Sequence, residues 1–93
     1  MPEKIKTPST FKFGVSSYDG TFKRGEVAVL DTAPRPSYDK CWVLAYQRGA
    51  FSAYKYRQLT ETKALLIPYH LRGKAILGDA KNMNIIGILI KQK

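Results

Sequence analysis

The sequence predicts a small, mostly β domain, built as a twisted sheet or a partly open barrel. Residues 10–15 alternate apolar and polar side chains, as a half-buried strand does. Short apolar runs recur along the chain, and glycine, proline and hydroxyl residues separate them. No long segment has the periodicity of an amphipathic helix. These patterns together favour about six short strands.

The 93 residues suffice for one domain and leave no room for a second core. Residues 1–9 contain two prolines and few apolar side chains. We therefore expect them to form a flexible N-terminal tail, with residues 10–93 forming a single β-rich domain.

The expected strands are joined by segments rich in turn residues. They are residues 10–15, 26–31, 41–46, 51–58, 64–68 and 83–91. The second strand is apolar at each of residues 27–30, which predicts that both of its faces are covered. The proline-rich residues 32–40 are predicted to form a loop, and Gly49 can supply the positive φ of a hairpin turn. We expect residues 69–82 to be irregular.

The chain is strongly basic, with 16 Lys and Arg residues against 7 Asp and Glu and a net charge of +9. Such a charge indicates either attraction to nucleic acid or an acidic protein, or simply a solvated basic surface. No apolar run approaches the roughly 20 residues of a membrane helix, so no membrane association is expected. The single cysteine, Cys41, excludes an internal disulfide and is predicted to be a core thiol. The single cysteine and an N-terminus unlike a signal peptide together predict a cytoplasmic protein.

One serine and one lysine lie in settings that suit catalysis. Ser17 lies on a turn before a Gly-Glu corner at residues 25–26, and Ser16 is its nearest alternative. Lys55 lies inside the aromatic-rich strand at residues 52–57. In a Ser–Lys dyad an unprotonated lysine takes the proton of the serine hydroxyl. Because a free lysine has a pKa of about 10.4, burial would have to lower that value substantially.

The flanking residues suggest how Lys55 could be buried. Tyr54 and Tyr56 alternate with it and should project to the opposite face of the strand. The apolar side chains that shield the lysine from water must then come from other strands, and Phe22 and Leu66 are the candidates.

No cofactor is expected. The chain holds one cysteine and one histidine, which is too few for a metal-ligand pattern, and His70 is predicted to be an ordinary loop residue. The glycines Gly14, Gly20 and Gly25 are spaced too widely for a nucleotide-binding loop.

The order of these segments resembles the catalytic domain of the LexA/UmuD-type serine–lysine self-cleaving peptidases. In that family Ser-Met-x-Pro precedes a Gly-Asp corner, and here Ser17-Tyr18-Asp19-Gly20 precedes Gly25-Glu26. The family's Thr-Val-Lys-Arg/Lys-Leu segment is similar to residues 53–57. Its Leu-x-Pro and its final glycine-containing strand are similar to Leu66-Ile67-Pro68 and residues 85–90. The resemblance implies that family's fold, with Ser17 as nucleophile and Lys55 as base.

The same resemblance implies a short form without the family's helix-turn-helix. Because few residues precede Ser17 and none match the family's cleavage site, self-cleavage is not expected, and the dyad would be residual or act in trans. The implied role is regulation of the SOS type, or in phages and other mobile elements. The implied partner is a second copy bound through the strand at residues 83–91, a related repressor, a UmuD-like protein or a translesion polymerase.

A different function remains open on the same residues. A small basic β-domain could bind nucleic acid without any catalysis, through cations and exposed tyrosines on one face. The cations expected to converge there are Lys12, Lys23, Arg24, Lys55 and Arg57.

Overall fold

The computed structural model describes residues 7–70 and 73–91, and the structural statements below refer to them. The strands are β1 (Thr10–Lys12), β2 (Val27–Asp31), β3 (Trp42–Gln47), β4 (Ala50–Gln58), β5 (Lys63–Pro68), β6 (Ile76–Asp79) and β7 (Ile85–Lys91). A 3-10 helix covers Ala80–Asn82. The predicted mostly β fold class is confirmed. In the described part of the chain, no helix is long and apolar enough to cross a membrane.

All seven strands form one antiparallel sheet in the order β1-β2-β7-β3-β4-β5-β6. The described part of the sheet does not close, because β1 and β6 lie at opposite edges without pairing. Within β2, Val29 pairs with Thr10 of β1 on one side and with Ile90 of β7 on the other. The first residue of β1 and a residue near the end of β7 therefore flank the same position.

Each face of the sheet carries its own hydrophobic cluster. The Tyr cluster contains Val43, Ala45, Tyr54, Tyr56, Ala64, Leu66, Met83 and Ile88. The Phe cluster contains Phe13, Phe22, Ala28, Trp42, Leu44, Ala53 and Leu89. Successive residues of β3 alternate between the two clusters, as the period of a strand requires. The central strands thus contribute to both cores at once.

The Phe cluster anchors the serine turn at both ends. Phe13 precedes the turn and Phe22 follows it, and their rings stack with centroids 4.4 Å apart and an interplanar angle of 8°. Trp42 contacts both rings edge-on, at 6.4 Å and 6.0 Å. Since both phenylalanines are almost fully buried, this stack holds the two ends of the turn against the sheet.

The structure corrects three expectations about the strands. The segment at residues 69–82, predicted to be irregular, contains β6 and the 3-10 helix. The first strand ends at Lys12, because the chain turns away at Gly14 and Val15. Coverage of β2 on both faces is wrong for Val29, which is 40% exposed one strand from the edge of the sheet.

The predicted hairpin is confirmed: Gly49, with φ 82°, forms the turn between β3 and β4. The isoleucines of β7 point in different directions, as expected. Ile85 packs against the Tyr cluster, Ile86 packs against the Phe cluster and Ile90 is exposed. However, β7 is hydrogen-bonded to β2 and β3 on its two sides. In the described part of the chain β7 is an internal strand and not an edge of the sheet, so the expectation that it supplies the edge for pairing two copies is wrong.

Two further predictions concern single segments. Residues 1–6 of the predicted tail lie outside the described residues, and the carbonyl of Ser9 accepts a hydrogen bond from the Leu30 N–H at 2.9 Å. Cys41 is half-buried rather than fully buried, because it precedes β3 instead of lying within it. Its Sγ donates to the Asp39 carbonyl at 3.6 Å, and the residue packs against the Tyr cluster.

Candidate functional site

The serine turn is closed by hydrogen bonds of Ser17. The Ser17 N–H donates to the Phe22 carbonyl at 2.8 Å, and the Phe22 N–H donates back to Ser17 Oγ at 2.9 Å. The Gly20 N–H donates to the Ser17 carbonyl at 3.0 Å, and the φ of 79° at Gly20 is one that glycine adopts readily. Ser17 is only 4% exposed. Its backbone and its side chain thus both hold the turn together.

Asp19 projects its carboxylate into the middle of this arrangement. Its Oδ1 accepts hydrogen bonds from Ser17 Oγ at 3.0 Å and from the Thr21 N–H at 2.9 Å. Its Oδ2 lies 3.7 Å from Lys55 Nζ. Burial acts to raise the pKa of Asp19, but the hydrogen bonds from Thr21 and Ser17 and the charge of Lys55 outweigh it, so the pKa is lowered. Asp19 is therefore ionised at neutral pH.

Lys55 is positioned by the β3–β4 hairpin. It pairs with Trp42 across the two strands, and its Nζ lies 5.5 Å from the centroid of the indole ring. The lysine side chain is 20% exposed. Tyr54 and Tyr56 belong to the Tyr cluster, on the opposite face as predicted.

The apolar side chains beside Lys55 differ in part from those expected. Phe22 lies in the Phe cluster, on the same face as Lys55. Leu66 lies in the Tyr cluster, on the opposite face, so the prediction that it shields Lys55 is wrong. Trp42, which no sequence motif marks as part of the site, provides an aromatic surface 5.5 Å from Lys55 Nζ. Counting residues back from the Gly49 turn would have placed Trp42 opposite Lys55.

The structure thus brings Ser17 and Lys55 to the two oxygens of one carboxylate. Among the described residues, no hydrogen bond joins the serine to the lysine directly. The serine hydroxyl donates a hydrogen bond to Asp19 and accepts one from the Phe22 N–H. A hydroxyl held in this way attacks a substrate only after the turn has rearranged. In the sequence, Asp19-Gly20 indicates a turn, but it does not indicate that the Asp19 carboxylate lies between Ser17 and Lys55.

An aromatic and cationic surface borders this site. The partly exposed ring of Tyr18 tilts against Trp42 at a centroid distance of 5.6 Å. The backbone N–H of Tyr18 donates to the Tyr69 carbonyl. Burial and the charge of Asp19 raise the pKa of Tyr18 against the opposing effect of Arg57. Trp42 Nε1 is buried and has no hydrogen-bond partner among the described residues.

The five cations expected to converge do not all share one face. Lys55 and Arg57, two residues apart on β4, lie on the same face. Lys12 alternates with Phe11, which packs against the Phe cluster, so Lys12 points to the other side of the sheet. Lys23 and Arg24 lie on the turn that leads to Gly25. His70, predicted to be a loop residue, follows β5 and contacts the ring of Tyr69 edge-on at 5.0 Å.

Comparisons of the chain with protein-family models, with curated protein sequences and with solved structures find no match.

Proposed function

We propose that this chain is a LexA/UmuD-like peptidase-fold protein in which Ser17 and Lys55 form a latent serine–lysine pair. The observation that carries the proposal is the shared contact with Asp19. Ser17 Oγ binds one oxygen of that carboxylate at 3.0 Å, and Lys55 Nζ lies 3.7 Å from the other. A turn near the start of the chain and a strand in its middle thus converge on a single group.

The same contacts explain why the pair would be latent. The nucleophile is buried, and its hydroxyl is engaged both as donor and as acceptor. Lys55 Nζ lies 3.7 Å from the Asp19 carboxylate, whereas a general base must contact the hydroxyl whose proton it takes. Asp19 therefore occupies the place between the two groups that proton transfer requires. Self-cleavage would be absent or very weak, and activity would require displacement of Asp19 or a substrate supplied in trans.

Within this proposal the protein acts by pairing. The proposed partner is a second copy, a related repressor, a UmuD-like protein or a translesion polymerase, in regulation of the SOS type or of a mobile element. Because β7 is internal, the contact would use β1 or a face of the sheet.

Labelling with a fluorophosphonate, which reacts with activated serines, tests the latent pair. The expected result is slow labelling of the unaltered protein and faster labelling of Ser17 in Asp19→Asn, because an ionised carboxylate no longer engages both groups. Adding Lys55→Met to Asp19→Asn should abolish the gain, whereas adding Ser16→Ala should keep it. Circular dichroism checks that each variant is folded. If Asp19→Asn is folded and its Ser17 is labelled no faster than that of the unaltered protein, the proposal is wrong.

A specific observation also favours nucleic-acid binding as a second candidate function. The partly exposed ring of Tyr18 leans on Trp42, and Lys55 and Arg57 lie on the same face. An exposed aromatic ring beside cations is how single strands are bound without sequence preference. A fluorescent oligothymidylate should then bind with a strong salt dependence and should bind more weakly to Tyr18→Ala. Absence of binding at low salt would exclude this function.

A further inference from the structure

The edge strand β6 exposes a large apolar side chain. Leu77, in the middle of this strand, is 65% exposed. Among the described residues, β6 pairs only with β5, so the backbone groups on its outer side have no strand partner. An uncovered edge with an exposed leucine is a template on which another strand can pair.

Leu77 belongs to a row of side chains that crosses three strands. Arg57 of β4 pairs with Leu65 of β5, and Leu65 pairs with Leu77. Directly opposite residues of antiparallel strands place their side chains on the same face. The row therefore runs from a cation to an exposed leucine at the edge. In the described part of the structure, Arg57 has no carboxylate within salt-bridge distance.

The charged residues around β6 indicate that a partner bound there would be negatively charged. Lys74 precedes the strand by two residues and Lys81 follows it by two. The one acidic residue of the strand, Asp79, is paired with Lys63 at 2.7 Å. Two copies meeting at this edge would bring these lysines together, whereas an acidic segment would be attracted to them.

We propose that the outer edge of β6 binds an extended acidic segment of a partner protein as an additional strand. Backbone hydrogen bonds to β6 would supply affinity, and alternate side chains of the segment would supply specificity. An apolar side chain would cover Leu77, and acidic side chains would lie near Lys74 and Lys81, which flank the strand. This site lies at the sheet edge and does not depend on Ser17 or Lys55, so it can fail or succeed independently of the proposed dyad.

A fluorescein-labelled peptide of alternating valine and aspartate tests the site by fluorescence polarisation. The full chain should bind this peptide, with affinity falling as salt increases, and should not bind a matched valine–lysine peptide. Leu77→Ser should weaken binding by about fivefold or more, and so should the double substitution Lys74→Gln and Lys81→Gln. Two matched controls should leave binding unchanged. These are Ile90→Ser on β7 and Arg48→Gln in the β3–β4 turn.

Hydrogen exchange provides a readout specific to strand pairing. The bound peptide should slow amide exchange within Ile76–Asp79, because outward N–H groups become hydrogen-bonded. Equal binding of both peptides, or equal binding by all variants, would overturn the proposal. So would sedimentation showing that the chain self-associates through Leu77, because the occupant would then be a second copy. Binding of an oligothymidylate at β6 in place of the acidic peptide would overturn it as well.

Discussion

Trp42 and Lys55 lie directly opposite each other on β3 and β4, with Lys55 Nζ 5.5 Å from the centre of the indole ring. The turn between these strands sets that register. Its two central residues, Arg48 and Gly49, both have positive φ, at 53° and 82°, as a two-residue hairpin turn of type I′ requires. The turn thereby determines which β4 residue meets the tryptophan, and so where the ammonium lies relative to Asp19.

We expect Lys55→Met to lower the free energy of unfolding by about 1 kcal/mol. The substitution removes a cation–π contact worth roughly 0.5–1 kcal/mol and an ion pair worth about 0–1 kcal/mol. Urea denaturation of the two proteins measures the difference. Lys74→Met, at an exposed position outside the strands, serves as the control and should change stability by less than about 0.5 kcal/mol. Equal stability of Lys55→Met and the unaltered protein would contradict the assigned contacts.

The two adjacent serines should differ in their effect on stability. Ser17→Ala leaves the buried Phe22 N–H without its acceptor, which costs about 1–3 kcal/mol. The hydroxyl of Ser16 accepts only an exposed N–H, that of Arg24, at 3.2 Å. Ser16→Ala should therefore cost about 0.5 kcal/mol or less. Thermal unfolding of both variants makes the comparison, and a larger loss for Ser16→Ala would refute the closed turn described for Ser17.

Asp19 should make stability depend on acid pH. Its pKa in the folded state is lowered from an ordinary value of about 3.9, so the unfolded chain binds the proton first as pH falls. The contribution is complete above the ordinary value and is lost as pH falls through the lowered folded value. Asp19→Asn should therefore reduce the loss of stability between about pH 5 and pH 2.

The pKa of Asp31 is also lowered, mainly by the hydrogen bond from the Ala33 N–H. Asp31→Asn should therefore remove a separate part of the same pH dependence. Chemical denaturation at several pH values, carried out on each single variant and on the double variant, distinguishes the two contributions. If the free energy of unfolding of Asp19→Asn depends on pH as that of the unaltered protein does, folding does not stabilise the ionised Asp19 carboxylate.

Gly87→Ala should destabilise the protein far more than Gly78→Ala. A Cβ at Gly87 would lie 2.5 Å from the carbonyl oxygen of Asp31, a backbone atom held in the neighbouring strand. The nearest atom to a Cβ at Gly78 is the flexible end of Met83, at 3.5 Å. Forcing β2 and β7 apart should cost at least about 1–3 kcal/mol. Soluble yield and melting temperature report the difference, and similar values for the two variants would contradict the close approach of the strands.

Most of the sheet could be predicted because its strands are long enough to show a pattern. β3 is a continuous apolar run, β4 is rich in aromatic residues, and a recognisable turn joins them, so the sequence predicts their bounds to within a residue. β6 was missed because it is short, contains Gly78 and lies at an edge, where one cluster covers only Ile76. The exposure of Val29 was missed because an apolar run does not reveal which face another element covers.

The sequence predicts Ser17 and Lys55 as members of the candidate site, but neither Asp19 and Trp42 nor the geometry that joins them. Ser17 and Lys55 were selected from their local settings, and the structure shows that both contact one carboxylate. Which group lies between them depends on how the turn folds back over β4. That is a long-range relationship, because Asp19 and Lys55 belong to different segments of the chain. A single sequence carries little signal for such a contact, since aspartate before glycine is common in turns for local reasons.

Thr10 and Ile90 pair with opposite sides of Val29, so they are separated by two strand spacings, about 10 Å. A linker of about three or four residues spans that distance when extended. The domain is therefore suited to circular permutation. A gene in which residue 91 is joined to residue 10 through such a linker, with new termini in the exposed loop at residues 33–37, would retain every strand pair of the sheet.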